Sequence, residues 1–129
     1  MIKIDSNRYT CITADHGVVN IEDQNKFRLE YDESVKIYGD QRAVYINGEV
    51  EKIEKVFKNV PGYFLEKEEI ISLLGTPTNE DIKNFYPEQI FLLDDGNIIF
   101  PNHLSANLKG YHGGISKTEV SIPLIEIVN

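Results

Sequence analysis

Apolar residues recur along the chain with two periods, one of strands and one of helices. Tyr9 to Ala14 (YTCITA) is β-branched or apolar on both faces, the pattern of a strand buried in the middle of a sheet, and it ends at Asp15-His16-Gly17. Asn20 to Glu33 is polar, with Phe27, Leu29 and Tyr31 alternating as in a weak edge strand or an ordered loop. Val35 to Tyr38 and Arg42 to Ile46 are β-prone runs joined by Gly39-Asp40, which predicts a hairpin. The period then changes. Glu49 to Asn59 places Val50, Ile53, Val56 and Phe57 on one helical face, with Pro61-Gly62 as the stop. Tyr63 to Leu65 reads as a short strand. Glu66 to Leu74 reads as a second amphipathic helix, with Ile70, Ile71, Leu73 and Leu74 inward and Gly75 ending it. Asn79 to Phe85 adds a helical turn before Pro87. Ile90 to Leu93 and Asn97 to Phe100 flank Asp94-Asp95-Gly96, a hairpin signal, and Ser121 to Val128 (SIPLIEIV) is a last strand whose Pro123 belongs at an edge, a bulge or the beginning. The sum is an α/β fold: a mixed sheet with flanking helices, the Tyr9–Ala14 strand beside the Ser121–Val128 strand, and a small hairpin at Val35–Ile46.

Composition narrows the partners. A chain of 129 residues, 41% hydrophobic and 26% charged, fits one globular domain over 1–129. Thirteen basic residues against 21 acidic ones give a net charge of -8. Phosphate-backbone binding needs a basic face, so nucleic acid is excluded as a default partner. Apolar runs such as Ile90–Leu93 fall well short of the roughly 20 residues that span a bilayer, and Met1 is followed by a polar stretch without a signal peptide's apolar region. A single cysteine, Cys11, excludes an intrachain disulfide and points to the cytoplasm; mid-strand, it is expected as a small buried hydrophobe.

Two stretches carry candidate chemistry. Asp15-His16-Gly17 stands at the carboxyl end of a strand, where open α/β sheets collect ligands. A carboxylate and an imidazole suit zinc, manganese or iron, and Gly17 permits the bend that would let both reach one ion. The plain alternative is a capping Asp and a surface His. His112-Gly113-Gly114 is the second stretch, with Ser116-Lys117-Thr118-Glu119 in the form of a capping box after it. Alone it reads equally as a glycine loop with an exposed histidine. Together the two supply three metal-type ligands, Asp15, His16 and His112, at strand boundaries. Asp94 and Asp95 are better read as a turn than as a carboxylate pair, and the acidic run Glu66 to Glu69 as a helix start. Tyr111 packs either under the site or in the core.

ITADHG at Ile12–Gly17, followed about a hundred residues later by YHGGISKTEVSIPLI, resembles the C-terminal part of the alkaline phosphatase superfamily. The closest flavour is its type I phosphodiesterase/nucleotide pyrophosphatase and PglZ-like branches. RAVYI, GYFLEKEEIISLLG and IFLLDDGNIIF resemble those branches more weakly. The resemblance implies a metal-dependent phosphoesterase acting on phosphate esters or nucleotides. Two divalent ions, commonly zinc with manganese as the other option, lie about 4 Å apart and clamp the attacking and leaving oxygens. It implies Asp15 and His16 as ligands of the metal that activates the nucleophile, and His112 as a ligand of the other. The family pattern also calls for an upstream Asp on a separate strand, a Thr or Ser nucleophile and an Asp-x-x-x-His pair. Asp5 and Thr10 cannot fill those roles, since both lie within or just before the first strand. The expectation is therefore a C-terminal fragment of a larger domain, incompletely coordinating its metals and inactive alone, with a sheet edge open to a second copy or an N-terminal partner chain. His103 has no role to transfer. A non-catalytic α/β interaction module, or an unrelated α+β domain with chance motifs, are the competing readings.

Overall fold

The computed structural model describes residues 9–101 and 107–127; His103 lies outside them. The largest element is a four-stranded sheet in the order β4-β5-β7-β6, formed by Val35–Gly39, Ala43–Gly48, Gln89–Leu93 and Gly62–Phe64, antiparallel throughout. The predicted Val35–Ile46 hairpin forms, and it supplies half of this sheet rather than a small appendage. Its inward residues alternate: Val44 and Ile46 on β5 are wholly buried, while the residues between them are only partly covered. Helix α1 (Val50–Phe57) lays Ile53 and Phe57 on the same core as Val44, Ile46 and Phe91. The rings of Phe57, Phe64 and Phe91 pack there with centroids 4.7–5.8 Å apart. Each such side chain contributes about 1.5–3 kcal/mol by leaving water.

Helix α2 (Lys67–Leu74) starts with a capping box in which Glu66 and Glu69 exchange side chain and backbone, so the acidic run is a helix start. Only Ile70 of its four apolar residues is buried; Ile71, Leu73 and Leu74 face outward, because this short helix touches the sheet along one line against Ile90 and Leu92. Gly75, at φ 75°, ends it, and α3 (Glu80–Lys83) follows under an Asn79 cap.

Three two-stranded pairs complete the strands among the described residues: β1 (Thr10–Thr13) antiparallel with β10 (Leu124–Ile127), β2 (Val19–Asn20) antiparallel with β9 (Gly110–Tyr111), and β3 (Lys26–Leu29) parallel with β8 (Ile98–Pro101). The Asp94-Asp95-Gly96 turn forms, with Asn97 N–H donating to Asp94 O, but it does not close a hairpin. Strand β7 enters the large sheet and β8 leaves to pair with β3, so a buried apolar run on each side of a turn found different partners. Phe27 and Leu29 are thus strand residues. Tyr111 fills a second core with Ile21, Ile98 and Phe100.

The expected neighbours β1 and β10 do pair, with Thr13 opposite Leu124 and Pro123 just before the strand. Their burial departs from expectation. Cys11 is exposed, and so are Ile12, Leu124 and Ile125, because the ribbon pairs with no third strand among the described residues. Apolar character on both faces marks a strand that could be buried, not one that is.

Candidate metal centre

The DHG and HGG stretches converge. The imidazoles of His16 and His112 stack with centroids 3.8 Å apart and planes inclined by 21°. A wide separation of the two imidazoles, as expected of chance motifs in an unrelated domain, is not what the structure shows.

His16 is aimed by its own backbone. Its Nδ1 lies 2.9 Å from Gly17 O; a carbonyl only accepts, so Nδ1 is the donor in this contact and Nε2 is the nitrogen turned towards Asp15. That arrangement is how metal-ligating histidines are commonly oriented. Asp15 accepts the His16 backbone N–H on Oδ1, and its Oδ2 lies 3.5 Å from His16 Nε2. Its own backbone N–H, then the adjacent His16, hold the Asp15 carboxyl below the usual carboxylate range. Both side chains reach solvent.

His112 follows β9 and faces the β4–β5 turn, where Asp40 Oδ2 is 3.9 Å from its Nδ1. Asp40 is fixed by its N–H to Ala43 O and by accepting the Gln41 N–H on Oδ1. Its carboxylate lies against Gly113, where an added Cβ would stand 2.0 Å from Asp40 Cγ. Gly113 also holds φ 102°, a conformation other residues rarely adopt.

Behind the histidines lies an ion pair that sequence reasoning missed. Arg42 and Glu119 are 1% and 3% exposed, with Arg42 Nε 2.8 Å from Glu119 Oε1 and Nη2 3.1 Å from Oε2. Ser116 Oγ donates to Oε2 at 2.6 Å and Gly114 N–H to Oε1 at 2.8 Å. Burial pushes the Glu119 carboxyl up, and the hydrogen bonds from Arg42, Ser116 and Gly114 outweigh it, leaving it below the ordinary range. The Ser116–Glu119 spacing read as a capping box therefore serves a different purpose. Ser116 does occupy the N-cap of α4 (Lys117–Val120), yet its hydroxyl bonds the Glu119 carboxylate and no cap hydrogen bond forms. The available signal was a charged residue, Arg42, abutting the apolar AVYI run.

As a donor set, a carboxylate and an imidazole whose Nε2 faces it fit zinc or manganese. Two ligand atoms on one tetrahedral zinc, at bonds of about 2.0–2.1 Å, stand roughly 3.4 Å apart. The Asp15–His16 gap of 3.5 Å is close to that chord. Among the described residues no three His, Cys, Asp or Glu side chains are grouped to hold one ion.

No protein-family model matches the chain, and no curated protein matches it. Solved structures do. Murine ectonucleotide pyrophosphatase/phosphodiesterase 5 superposes with a TM-score of 0.67 at 20% identity, over 92% of this chain and 34% of that one. Its inactive variant in complex with AMP gives 0.64, also at 20% identity, over 90% of this chain and 33% of that one. Phosphonoacetate hydrolase from Sinorhizobium meliloti 1021, in complex with phosphonoacetate, gives 0.61 at 15% identity, over 93% and 36%. The fold is alkaline-phosphatase-like. This chain spans about a third of the length of each alkaline-phosphatase-like neighbour, and at these identities the likeness is one of fold. Among the described residues no helix is long and apolar enough to cross a membrane.

Proposed function

We propose that the chain supplies part of a two-metal phosphoesterase centre, as the C-terminal portion of a nucleotide pyrophosphatase-like or PglZ-like hydrolase. The contact between His16 and His112 carries the reading. Rings stacked at 3.8 Å could each offer a nitrogen to a different ion at about the 3.5–4 Å spacing of two-metal sites. Asp15 and His16 would hold one divalent ion and His112 the other, zinc by preference and manganese as the second option.

Such ions, when bound, would polarise a phosphoryl oxygen and lower the pKa of a bound nucleophile. This chain's part is orientation: the contact with Gly17 O aims the His16 ring, and the packing of Gly113 on Asp40 holds the His112 loop. The nucleophile and the remaining ligands that the resemblance calls for have no matching positions in this sequence, so the reaction needs groups from elsewhere. The exposed β1–β10 ribbon, with Ile12, Leu124 and Ile125 uncovered, is where a preceding segment, a partner chain or a second copy would add strands. The substrate class is a phosphate ester or nucleotide.

Calorimetric titration of the chain with zinc tests this. Micromolar or tighter binding that is lost in His112→Ala and in His16→Ala is expected, with negligible turnover of generic phosphodiesters and monoesters. No zinc binding would favour a non-catalytic interaction module, and robust turnover abolished by His16→Ala would refute the incomplete centre.

A further inference from the structure

Glu119 touches both histidine loops at once. Its main-chain carbonyl accepts the Gly17 N–H at 2.7 Å, one residue beyond His16, and its carboxylate accepts the Gly114 N–H at 2.8 Å, two residues beyond His112. Both approaches are possible only because those residues lack a side chain. A Cβ at Gly17 would stand 1.9 Å from Thr118 O, and one at Gly114 would stand 2.7 Å from Glu119 Oε2 and 2.9 Å from Arg42 Nε. Arg42 in turn donates through Nη1 to Asn97 O and lies 3.5 Å from Asp95 through Nη2, which anchors the group to the turn between β7 and β8.

A buried ion pair is weak evidence of a stabilising role, since apolar groups of similar volume often serve as well. Apolar groups cannot, however, accept the Gly114 N–H, which depends on the Glu119 carboxylate. We infer that Glu119, locked by Arg42, is a positioning residue that clips the DHG and HGG loops together and sets the His16–His112 ring contact. As a role in metal binding, this rests on the proposed function. The ring contact itself does not.

The test uses the full chain without metal, then with zinc alone. In the unsubstituted protein, nuclear Overhauser contacts between the His16 and His112 ring protons are expected. The Gly17 and Gly114 amides should exchange with solvent as slowly as that of buried Ile46. In folded Glu119→Met the ring contacts should vanish and zinc affinity should fall at least tenfold. Arg42→Met/Glu119→Met separates positioning from stability: its melting temperature should return towards the unsubstituted value while ring contacts and zinc affinity stay lost. A merely structural pair predicts that all three recover together, and that result would overturn the inference, as would ring contacts that persist in Glu119→Met. Should Glu119→Met fail to fold, the amide exchange decides, and rapid exchange at Gly114 overturns it. Ring contacts that depend on Glu119 in a chain that takes up no zinc would refute the proposed function and support the clip. Unchanged zinc binding with ring contacts intact in Glu119→Met would do the reverse.

Discussion

Gly17→Ala isolates a single steric event next to the histidines. The added Cβ would stand 1.9 Å from Thr118 O, 2.9 Å from Thr118 C and 3.2 Å from Glu119 Cα, all of them backbone atoms with no rotamer to give way. A tolerable carbon–oxygen contact is about 3.3 Å, so the two backbones must separate by roughly 1.4 Å. The Gly17 N–H to Glu119 O bond, now 2.7 Å, would then exceed hydrogen-bonding distance. Leaving both groups without a partner costs about 1–3 kcal/mol. A loss near ~2 kcal/mol in a domain of this size lowers the melting temperature by roughly 6–10 °C. Circular dichroism measures that loss, and the His16–His112 ring contact measured by NMR should go with it. Gly75→Ala is the control. Nothing lies within 4 Å of its Cβ position, so only the backbone strain of φ 75° with ψ -179° is felt, about 1–3 kcal/mol, and the ring contact should survive. A Gly17→Ala protein melting within about 2 °C of the parent with its ring contact intact would refute the steric reasoning.

Urea unfolding should show Arg42→Met and Glu119→Met each costing about 3–5 kcal/mol, because each leaves one buried charge without its partner, while the double variant lies much closer to the parent. Glu119 is held below its ordinary value, so its contribution is fully present above the unfolded-state pKa of about 4.3 and is lost as pH falls through the folded value. Stability measured from pH 6 downwards should therefore fall more steeply in the parent than in Arg42→Met/Glu119→Met. Ile53→Ala, at a wholly buried position, should cost about 2–5 kcal/mol by chemical denaturation, whereas Ile71→Ala on the exposed side of α2 should cost less than about 1 kcal/mol.

Local patterns carried the elements well. Period and stop signals place α1 and α2 within a residue or two, and Gly39-Asp40 joins a real hairpin. Pairing across the chain was legible for β1 with β10 and not for β7 and β8. The Asp94-Asp95-Gly96 turn is local, whereas the choice between β3 and β7 as partner of β8 depends on which apolar face finds the core. Burial was the weakest inference. Cys11, Ile12 and Leu124 have the chemistry of a sheet interior, yet the described chain brings no layer over them.

At the candidate site, Asp15, His16 and His112 were named by residue type and strand-end position, and their convergence needed the fold. The sequence reads Arg42 as the start of a strand, Glu119 as part of a capping box and Asp40 as a turn. Arg42 instead stands just before β5, Glu119 lies within α4 without a side-chain cap hydrogen bond, and Asp40 does lie in the turn. Their second partners are tens of residues away in sequence, where no local pattern reaches: Arg42 meets Glu119, and Asp40 meets Gly113. Position in the chain likewise hid why Gly17 and Gly113 are glycines, since the excluding atoms belong to distant segments, and Gly114 is crowded by distant Arg42 as well as by nearby Glu119.

Anomalous scattering at the zinc edge from crystals of the chain grown with zinc tests the central claim most directly. The account predicts a zinc peak within bonding distance, about 2.0–2.2 Å, of His16 Nε2 and an Asp15 carboxylate oxygen, absent in His16→Ala. A second, weaker peak should lie on His112. Zinc ordered elsewhere on the chain with nothing on His16, Asp15 or His112, or no ordered zinc at all, would contradict it.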